Sequence, residues 1–258
     1  MKIVVCIKPV NKELVFQNQN DDEPFMINPY DLYALEQCIE LKKRTNAVIT
    51  CLCMGSQRAS SLLTAAIAMG ADEGVLVNDP AFAGSDTVAT SYILSKAIEA
   101  IGMPDMIICG EKTIDGETGQ VVFGLAKRIN FTPFSKVKSL ETVQDGKVIA
   151  IQEKENQMLM VELRTPVLCA FSDFSLKQSN YSLMAWKLAK RKDITILTRN
   201  ELDIDLSRCG LNGSRTKVCE IEQKLKRKEP EVIEGSVKEM ARSIIAIIMG
   251  RGRGQKDE

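Results

Sequence analysis

The chain has 258 residues, 34 of them basic and 34 acidic, and 45% are hydrophobic. The formal charge of zero gives no reason to expect nucleic acid as a partner, and the longest late apolar run, 243–249, is far shorter than the ~20 residues of a membrane-spanning helix. Histidine is absent, which excludes Ser-His-Asp and Cys-His nucleophile systems and His-ligated zinc.

Apolar β-branched runs alternate with amphipathic stretches up to about residue 130. In chain order, strands are predicted at 2–8, 47–54, 74–78 and 105–109, and helices at 29–44, 57–69, 86–101 and 118–129. Residues 3–7 and 106–109 are apolar throughout, which is typical of strands buried on both faces. The alternation therefore predicts an α/β fold with a Rossmann-like, doubly wound, mostly parallel sheet.

The sequence pattern changes after residue 131. Three short runs, 147–153, 158–163 and 166–171, suggest antiparallel strands that extend the same sheet, with a turn at Asp145-Gly146. Hydrophobicity falls after Arg199, so we predict an α/β domain over 1–199 and a C-terminal extension over 200–258.

A last helix is predicted at about 235–249. It carries one apolar stripe formed by Val237, Met240, Ala241, Ile244, Ile245 and Ile248. The stripe either folds back on its own domain or lies on another subunit, and we favour another subunit.

Eight cysteines could indicate disulfides or a metal, but most of them are predicted to be small core residues. Five of them lie in apolar strand-like runs: Cys6, Cys51, Cys53, Cys109 and Cys169. Cys51 and Cys53 should point to the same face of a strand, and Cys209 and Cys219 lack the spacing of a zinc or iron–sulfur site. The N-terminal run 1–7 lacks a small-residue cleavage site, so we interpret it as a first strand and expect a cytoplasmic protein.

Residues 110–124 connect a buried strand to a helix through a loop rich in glycine and hydroxyl groups. The first turn of such a helix offers unpaired N–H groups, Gly116 and Gly119 allow backbone to approach a ligand, and Thr118 adds a hydroxyl. These features indicate a phosphate-binding site. Because Asp115 and Glu117 carry negative charge, we assign Asp115 a ribose or capping role. A well-capped helix start is the alternative interpretation.

The first helix has its own start signal. Asn28 is placed to cap it, Pro29 occupies the first helical position, and Asp31 lies in the first turn, where negative charge is favoured. In parallel sheets, ligands bind beyond the carboxyl ends of strands. The turns after the predicted strands, including 8–10 and 110–118, are therefore the candidate site.

Four segments together carry a family resemblance. They are Lys8-Pro9-Val10, Asn28-Pro29-Tyr30-Asp31 followed by Ala34-Leu35-Glu36, the helix end Ala-Ala-Ile-Ala-Met-Gly-Ala-Asp at 65–72, and Gly110 with Asp-Gly-Glu-Thr-Gly-Gln-Val at 115–121. Over roughly residues 1–200 the chain resembles the β subunit of electron transfer flavoproteins, a family that includes the FixA-type proteins.

This resemblance implies a subunit that pairs with a larger α subunit and binds an adenine nucleotide. It also implies that the flavin performs the redox chemistry, so no catalytic residue is expected in this chain. By the same likeness, the nucleotide would be bound by Cys6, Asn28, Pro29, Tyr30, Asp31, Met54, Thr113, Asp115, Gly116, Glu117, Thr118, Gly119, Gln120 and Val121.

The occupant of the site is either AMP or FAD. In simple family members the β subunit holds AMP and the one FAD sits mainly on the α subunit. In electron-bifurcating members a second FAD takes the AMP position, and the loop tends to read Asp-Gly-Asp-Thr-Ala-Gln-Val. The present loop differs from that pattern only at Glu117 and Gly119, so we favour FAD. Electrons would pass between a dehydrogenase or NADH and a flavoprotein or quinone-linked acceptor.

The resemblance also concerns partner docking, and here the chain departs from the family: residues 177–181 read Lys-Gln-Ser-Asn-Tyr where the family commonly has Asn-Glu-Pro-Arg-Tyr. In the family, the segment that follows this motif docks a leucine into a client dehydrogenase. Leu183 or Met184 is the candidate here, and the alternative is that Leu183 packs in the core.

Two other functions remain open. One is a nucleotide-binding sensor or adenylating enzyme of a related fold, although residues 8–11 supply no phosphate loop. The other is a structural scaffold in which the loop after Gly110 only caps a helix.

Overall fold

The computed structural model describes residues 1–14, 24–144, 146–176, 181–217, 219 and 232–249. The chain divides into two compact units, Met1–Lys217 and Val218–Glu258.

The first unit alternates strands and helices over most of its length. Its strands are β1 (Lys2–Ile7), β2 (Pro9–Asn11), β3 (Phe25–Ile27), β4 (Val48–Met54), β5 (Glu73–Val77), β6 (Met106–Gly110), β7 (Thr132–Gln144), β8 (Lys147–Lys154), β9 (Gln157–Arg164), β10 (Val167–Phe171) and β11 (Thr195–Leu197). Its α-helices are α1 (Pro29–Arg44), α2 (Ser60–Met69), α3 (Thr87–Ile101), α4 (Gln120–Ile129), α5 (Leu183–Ala189) and α6 (Gly210–Gly213). The second unit contains α7 (Val237–Ile248).

Nine of the strands form one sheet in the order β11-β5-β4-β1-β6-β10-β7-β8-β9. All pairs from β11 to β7 are parallel, and the pairs β7-β8 and β8-β9 are antiparallel. The predicted mostly parallel sheet with an antiparallel extension is therefore confirmed. Because β4 and β5 lie on one side of β1 and β6 lies on the other, the strand order reverses between β1 and β6.

The orientation predicted for residues 166–171 was wrong. Strand β10 lies between β6 and β7 and runs parallel to both, whereas the sequence pattern had suggested an antiparallel strand. All five residues of β10 are buried, as expected for a strand covered on both faces. Strands β7 and β11 were not predicted, since the first mixes charged, hydroxyl and apolar residues and the second is only three residues long. Of the predicted turn, Asp145 lies outside the described residues.

Side chains from the two faces of the sheet form two apolar cores. Cys51 and Cys53 belong to one core, and Leu52, between them in β4, belongs to the other. This alternation confirms that the two thiols share a face. Cys109 and Cys169 are also buried, and Cys6 is half-buried.

The helix ends follow local signals. Helix α1 has the predicted bounds, and a short 3-10 turn, Gln57–Ala59, precedes α2. Gly70 ends α2 with φ of 137°, and the Asp86 carboxylate caps α3 by accepting from the amides of Val88 and Ala89. Helix α4 begins at Gln120, two residues after the predicted start.

Residues 200–217 pack within the first unit. Leu202 and Cys209 are buried in the core that contains Leu52, and the Asp86 carboxylate also accepts hydrogen bonds from the backbone amides of Arg215 and Thr216, at 2.6 and 3.0 Å. The first compact unit therefore extends to Lys217.

Helix α7 of the second unit confirms the predicted last helix. Ser236 and Glu239 form a capping box at its start, and its apolar residues include the exposed Ile244, Ile245 and Ile248. Among the described residues, no helix combines the length and apolar character that crossing a membrane requires.

Candidate functional site

The candidate site lies where the strand order reverses. Strands β1 and β6 are parallel neighbours, with Val5 opposite Ile108, so the loops that follow them leave the same edge of the sheet. Crevices at such a reversal point, beyond the carboxyl ends of the strands, are the usual ligand sites of open parallel sheets.

One carboxylate joins the ends of these two strands. Asp31, in the first turn of α1, accepts hydrogen bonds from the backbone amide of Lys8 at 2.9 Å and from that of Gly110 at 2.8 Å. Burial raises the pKa of Asp31 to about 6, although both amides favour its charged form. The predicted site residue Asp31 therefore shapes the crevice from within the protein.

Gly110 must be glycine at this position. A Cβ there would lie 2.5 Å from Tyr30 Cβ and 2.6 Å from Asp31 Oδ1, well inside contact distance. The absence of a side chain lets the start of α1 pack directly on the end of β6.

Asn28 holds the loop that follows β6. Its side chain is fully buried, its Nδ2 donates to the carbonyl oxygen of Lys112 at 3.0 Å, and its Oδ1 accepts from the amide of Ile114 at 3.2 Å. The predicted capping role was wrong, because Asn28 occupies the N-cap position of α1 but its side chain makes no capping hydrogen bond there. The side-chain amide of Asn28 instead holds residues that lie far away in the sequence.

The loop then turns sharply into α4. Glu117 donates its backbone N–H to the carbonyl of Thr113 at 2.9 Å, and Glu117 and Gly119 have φ of 51° and 62°, in the left-handed region. Gly119 occupies the N-cap position and so supplies no capping side chain, and the Thr118 hydroxyl lies 3.5 Å from the Gln120 amide. The first-turn amides of α4 can therefore bind an anion.

Two lysine–carboxylate pairs flank the loop. Lys8 Nζ lies 2.7 and 2.8 Å from the two carboxylate oxygens of Asp115, and burial of Asp115 is outweighed by hydrogen bonds from Lys8 and Thr113, so its pKa is lowered. Lys112 Nζ lies 3.5 Å from Glu117 Oε1 and 5.7 Å from the centre of the Tyr30 ring. The carboxylates of Asp115 and Glu117 thus each have a cationic partner.

A cavity of about 430 Å³ opens at this loop, within the size range of small-ligand pockets. It is lined by Tyr30, Glu111, Lys112, residues 117–120, Phe123 and Ser172. Its wall thus combines two aromatic rings, charged side chains and the start of α4.

The structure brings together part of the predicted set. Tyr30 and residues 117–120 line the cavity, and Thr113, Asp115 and Gly116 lie in the loop that precedes them. Asn28 holds the loop and Asp31 holds the strand ends. Pro29 is buried at the start of α1, and Val121 follows Gln120 in α4.

Other predicted residues do not line the cavity. Cys6 and Met54, near the ends of β1 and β4, pack against the core that contains Leu52. Burial, with the nearby Asp31 charge, raises the pKa of Cys6 to about 12, so its thiol stays neutral. Leu183 and Met184 are 70% and 66% exposed at the start of α5, which contradicts the alternative that Leu183 is a core residue.

Sequence reasoning placed Glu111, Lys112 and Phe123 within the predicted segment 110–124 without naming them as individual site residues, and it missed Ser172. Glu111 directly follows β6 and Ser172 directly follows β10. Their position after parallel strands was the available signal, and for Ser172 the wrong orientation predicted for β10 concealed it. No group of three or more potential metal-ligating side chains occurs among the residues that the structure describes.

Comparisons with known proteins agree on one family. A family model described as "Electron transfer flavoprotein domain" matches residues 15–194. The chain is 33% identical over 248 residues to an electron transfer flavoprotein subunit beta of Thermoanaerobacterium thermosaccharolyticum, covering 96% of this chain and 93% of that protein.

Two further relatives have different names. A protein FixA of Azorhizobium caulinodans is 34% identical over 84% of this chain and 82% of its own length. An acryloyl-CoA reductase electron transfer subunit gamma of Anaerotignum propionicum is 31% identical over 96% of this chain and 98% of its own length.

Proposed function

The chain belongs to the electron transfer flavoprotein family, as a β-subunit or FixA-type member, and we propose that its cavity binds the adenylate half of a nucleotide, with FAD as the occupant and AMP as the alternative. A bound flavin would supply the redox chemistry, and the residues of this chain would bind and orient it.

The observation that carries this proposal is the start of α4 at the wall of the cavity. First-turn amides and the positive end of the helix dipole suit a phosphate, and Gly119 leaves them without a capping side chain. The nearby ammonium groups of Lys8 and Lys112 can add positive charge if an anion displaces their carboxylate partners.

The remaining walls suit an adenosine. The rings of Tyr30 and Phe123 offer apolar surface for a base, while Asp31 and Asn28 hold the strand ends and the loop in place. The loop sequence at 115–121, which differs at only two positions from the pattern of bifurcating relatives, supports FAD over AMP. Bifurcation itself would require this second flavin.

We propose that the C-terminal extension, predicted over 200–258, binds an α subunit through the part that follows the first compact unit. Its helix α7 presents an apolar stripe that includes exposed isoleucines, and an amphipathic helix of this kind stabilises a complex by burying its stripe. Leu183 and Met184, exposed at the start of α5, are proposed to dock with a client dehydrogenase in the cytoplasm.

The test is to count nucleotides in the purified complex. The chain is co-expressed with its α subunit, the complex is denatured, and released FAD and AMP are quantified by chromatography. About two FAD per heterodimer would place FAD in this cavity, and one FAD with one AMP would support AMP. A colourless complex that releases neither nucleotide would overturn the proposal.

A further inference from the structure

Ser172 lines the cavity and has a side-chain hydroxyl without a hydrogen-bond partner. Among the side-chain nitrogen and oxygen atoms of the described residues, its Oγ alone is buried from solvent without a hydrogen-bond partner, and Ser172 is one of the lining residues. Burying a hydroxyl without a partner is unfavourable, so native proteins rarely retain one that has no use. This hydroxyl is therefore a candidate ligand contact.

The backbone around Ser172 is held in place. Its own amide donates to the carbonyl of Val137 at 3.1 Å, the amide of Ser175 donates to the carbonyl of Pro29 at 3.0 Å, and the Phe174 ring lies 5.6 Å from that of Tyr30. What remains adjustable is the single χ1 torsion of Ser172. Turning Oγ toward the cavity breaks no hydrogen bond, and staggered rotamers differ little in energy.

Resting on the proposed function, we infer that Ser172 is a nucleotide-binding residue whose hydroxyl forms a hydrogen bond with the adenosine part of the ligand. The phosphate would be bound at the start of α4, whereas Ser172 follows a different strand, β10. A serine hydroxyl both donates and accepts, so it can bond with either the base edge or a ribose hydroxyl.

The first experiment compares two serines with buried hydroxyl groups, Ser172 and Ser95, in the nucleotide-free, full-length chain. Ser172→Ala removes a hydroxyl with no partner, so thermal stability without nucleotide should be unchanged or slightly higher, while AMP affinity measured by calorimetry should fall about three- to tenfold. Ser95→Ala is the control, because Ser95 Oγ donates to the Tyr92 carbonyl at 2.7 Å within α3. It should lower stability and leave AMP affinity unchanged.

A second experiment identifies the ligand atom. AMP is compared with three analogues: IMP, which replaces the 6-amino group of the base, and 2′-deoxy-AMP and 3′-deoxy-AMP, which each lack one ribose hydroxyl. The analogue that lacks the partner of Ser172 should bind more weakly to the native chain, and Ser172→Ala should add no further loss for that analogue. For each analogue, the loss of affinity caused by the analogue can be compared with the loss caused by Ser172→Ala. If the two losses add in full for every analogue, a direct contact between Ser172 and the adenosine is overturned.

Failure of this inference is distinguishable from failure of the proposed function. If the native chain binds neither AMP nor FAD, the proposed function fails. If it binds AMP, and Ser172→Ala binds equally well, the hydroxyl serves only a bound water and the inference is wrong. A marked loss of stability in Ser172→Ala without nucleotide would also overturn it, because the hydroxyl would then have a partner in the free protein.

Discussion

The carboxylate of Asp31 and the backbone amide of Gly110 lie 2.8 Å apart, although 79 positions separate them in the sequence. The same carboxylate accepts from the amide of Lys8, so one side chain of α1 holds the ends of two adjacent strands. This arrangement fixes the edge of the sheet from which the loop after Gly110 departs.

Gly110→Ala should destabilise the protein severely. Its Cβ would lie within 2.6 Å of atoms of Tyr30 and Asp31, so α1 must move away from β6, and we expect a loss of about 3 kcal/mol or more in the free energy of unfolding. Gly116→Ala is the control, because its Cβ would meet only Thr113 Oγ1 at 3.6 Å. Urea unfolding measures both, and equal losses would contradict this packing argument.

Asp31 should make stability depend on pH. Its pKa is raised by burial to about 6, so the folded state binds a proton more readily than the unfolded state. The stability contribution is fully present below the unfolded pKa and is lost as pH rises through about 6. The difference in unfolding free energy between native protein and Asp31→Asn should therefore fall by on the order of 2 kcal/mol between pH 4 and pH 7.

Asp86→Asn is a control for this pH dependence, because the pKa of Asp86 is shifted in the opposite direction from that of Asp31. Burial of Asp86 raises its pKa, but the amides of Ala89, Thr216, Arg215 and Val88 together outweigh that effect, so the net pKa is lowered. The contribution of Asp86 is present above its unfolded pKa and is lost as pH falls. A difference curve for Asp31→Asn with the same sign as that for Asp86→Asn would disprove the raised pKa.

Asn28→Ser separates capping from loop support. Serine is as good an N-cap as asparagine, so a capping role predicts no change. The structure instead predicts a loss of about 2 kcal/mol, since the carbonyl of Lys112 and the amide of Ile114 lose their partner. Nucleotide affinity should fall as well, because the loop loosens. Unchanged stability and affinity in unfolding and calorimetric measurements would show that Asn28 does not support the loop.

Glu117→Gln should strengthen the binding of AMP. The Glu117 carboxylate lines the cavity and lies 3.5 Å from Lys112, so its removal takes away a repulsive charge and frees a cation. We expect about two- to fivefold tighter binding at low ionic strength, with a smaller gain as salt increases. Glu99→Gln, which leaves Lys96 of α3 without its partner, is the matched control. Weaker binding by Glu117→Gln would mean that the carboxylate accepts a hydrogen bond from the nucleotide.

Ile245→Glu should weaken association with the α subunit. The side chain is 54% exposed on the apolar stripe of α7, and a charge buried in an interface without a partner is strongly unfavourable. Recovery of the α subunit in co-purification should drop at least tenfold, with no change in the melting temperature of the chain alone. Ser243→Glu adds the same single negative charge at an exposed position off the stripe and should retain the partner. Full recovery with Ile245→Glu would exclude the stripe as the interface.

Much of the fold was predictable because its signals are local. Helix α1 begins and ends where its sequence predicts, Gly70 ends α2, and the apolar runs of β1 and β6 are buried on both faces. Each of these features depends on neighbours within a few residues. The loop at 115–121 was identifiable for the same reason, since its glycines and hydroxyl group precede a helical period.

The sequence by itself determined the family, the parallel core of the sheet and the loop that opens on the cavity. Only the tertiary structure decided that β10 runs parallel between β6 and β7, and that Ser172 lies in the cavity wall. It also decided that the Asn28 side chain forms hydrogen bonds with Lys112 and Ile114. The physical reason is range: helix ends and strand periodicity are set by adjacent residues, whereas strand order and the partner of a buried polar group are chosen by the packing of the whole sheet.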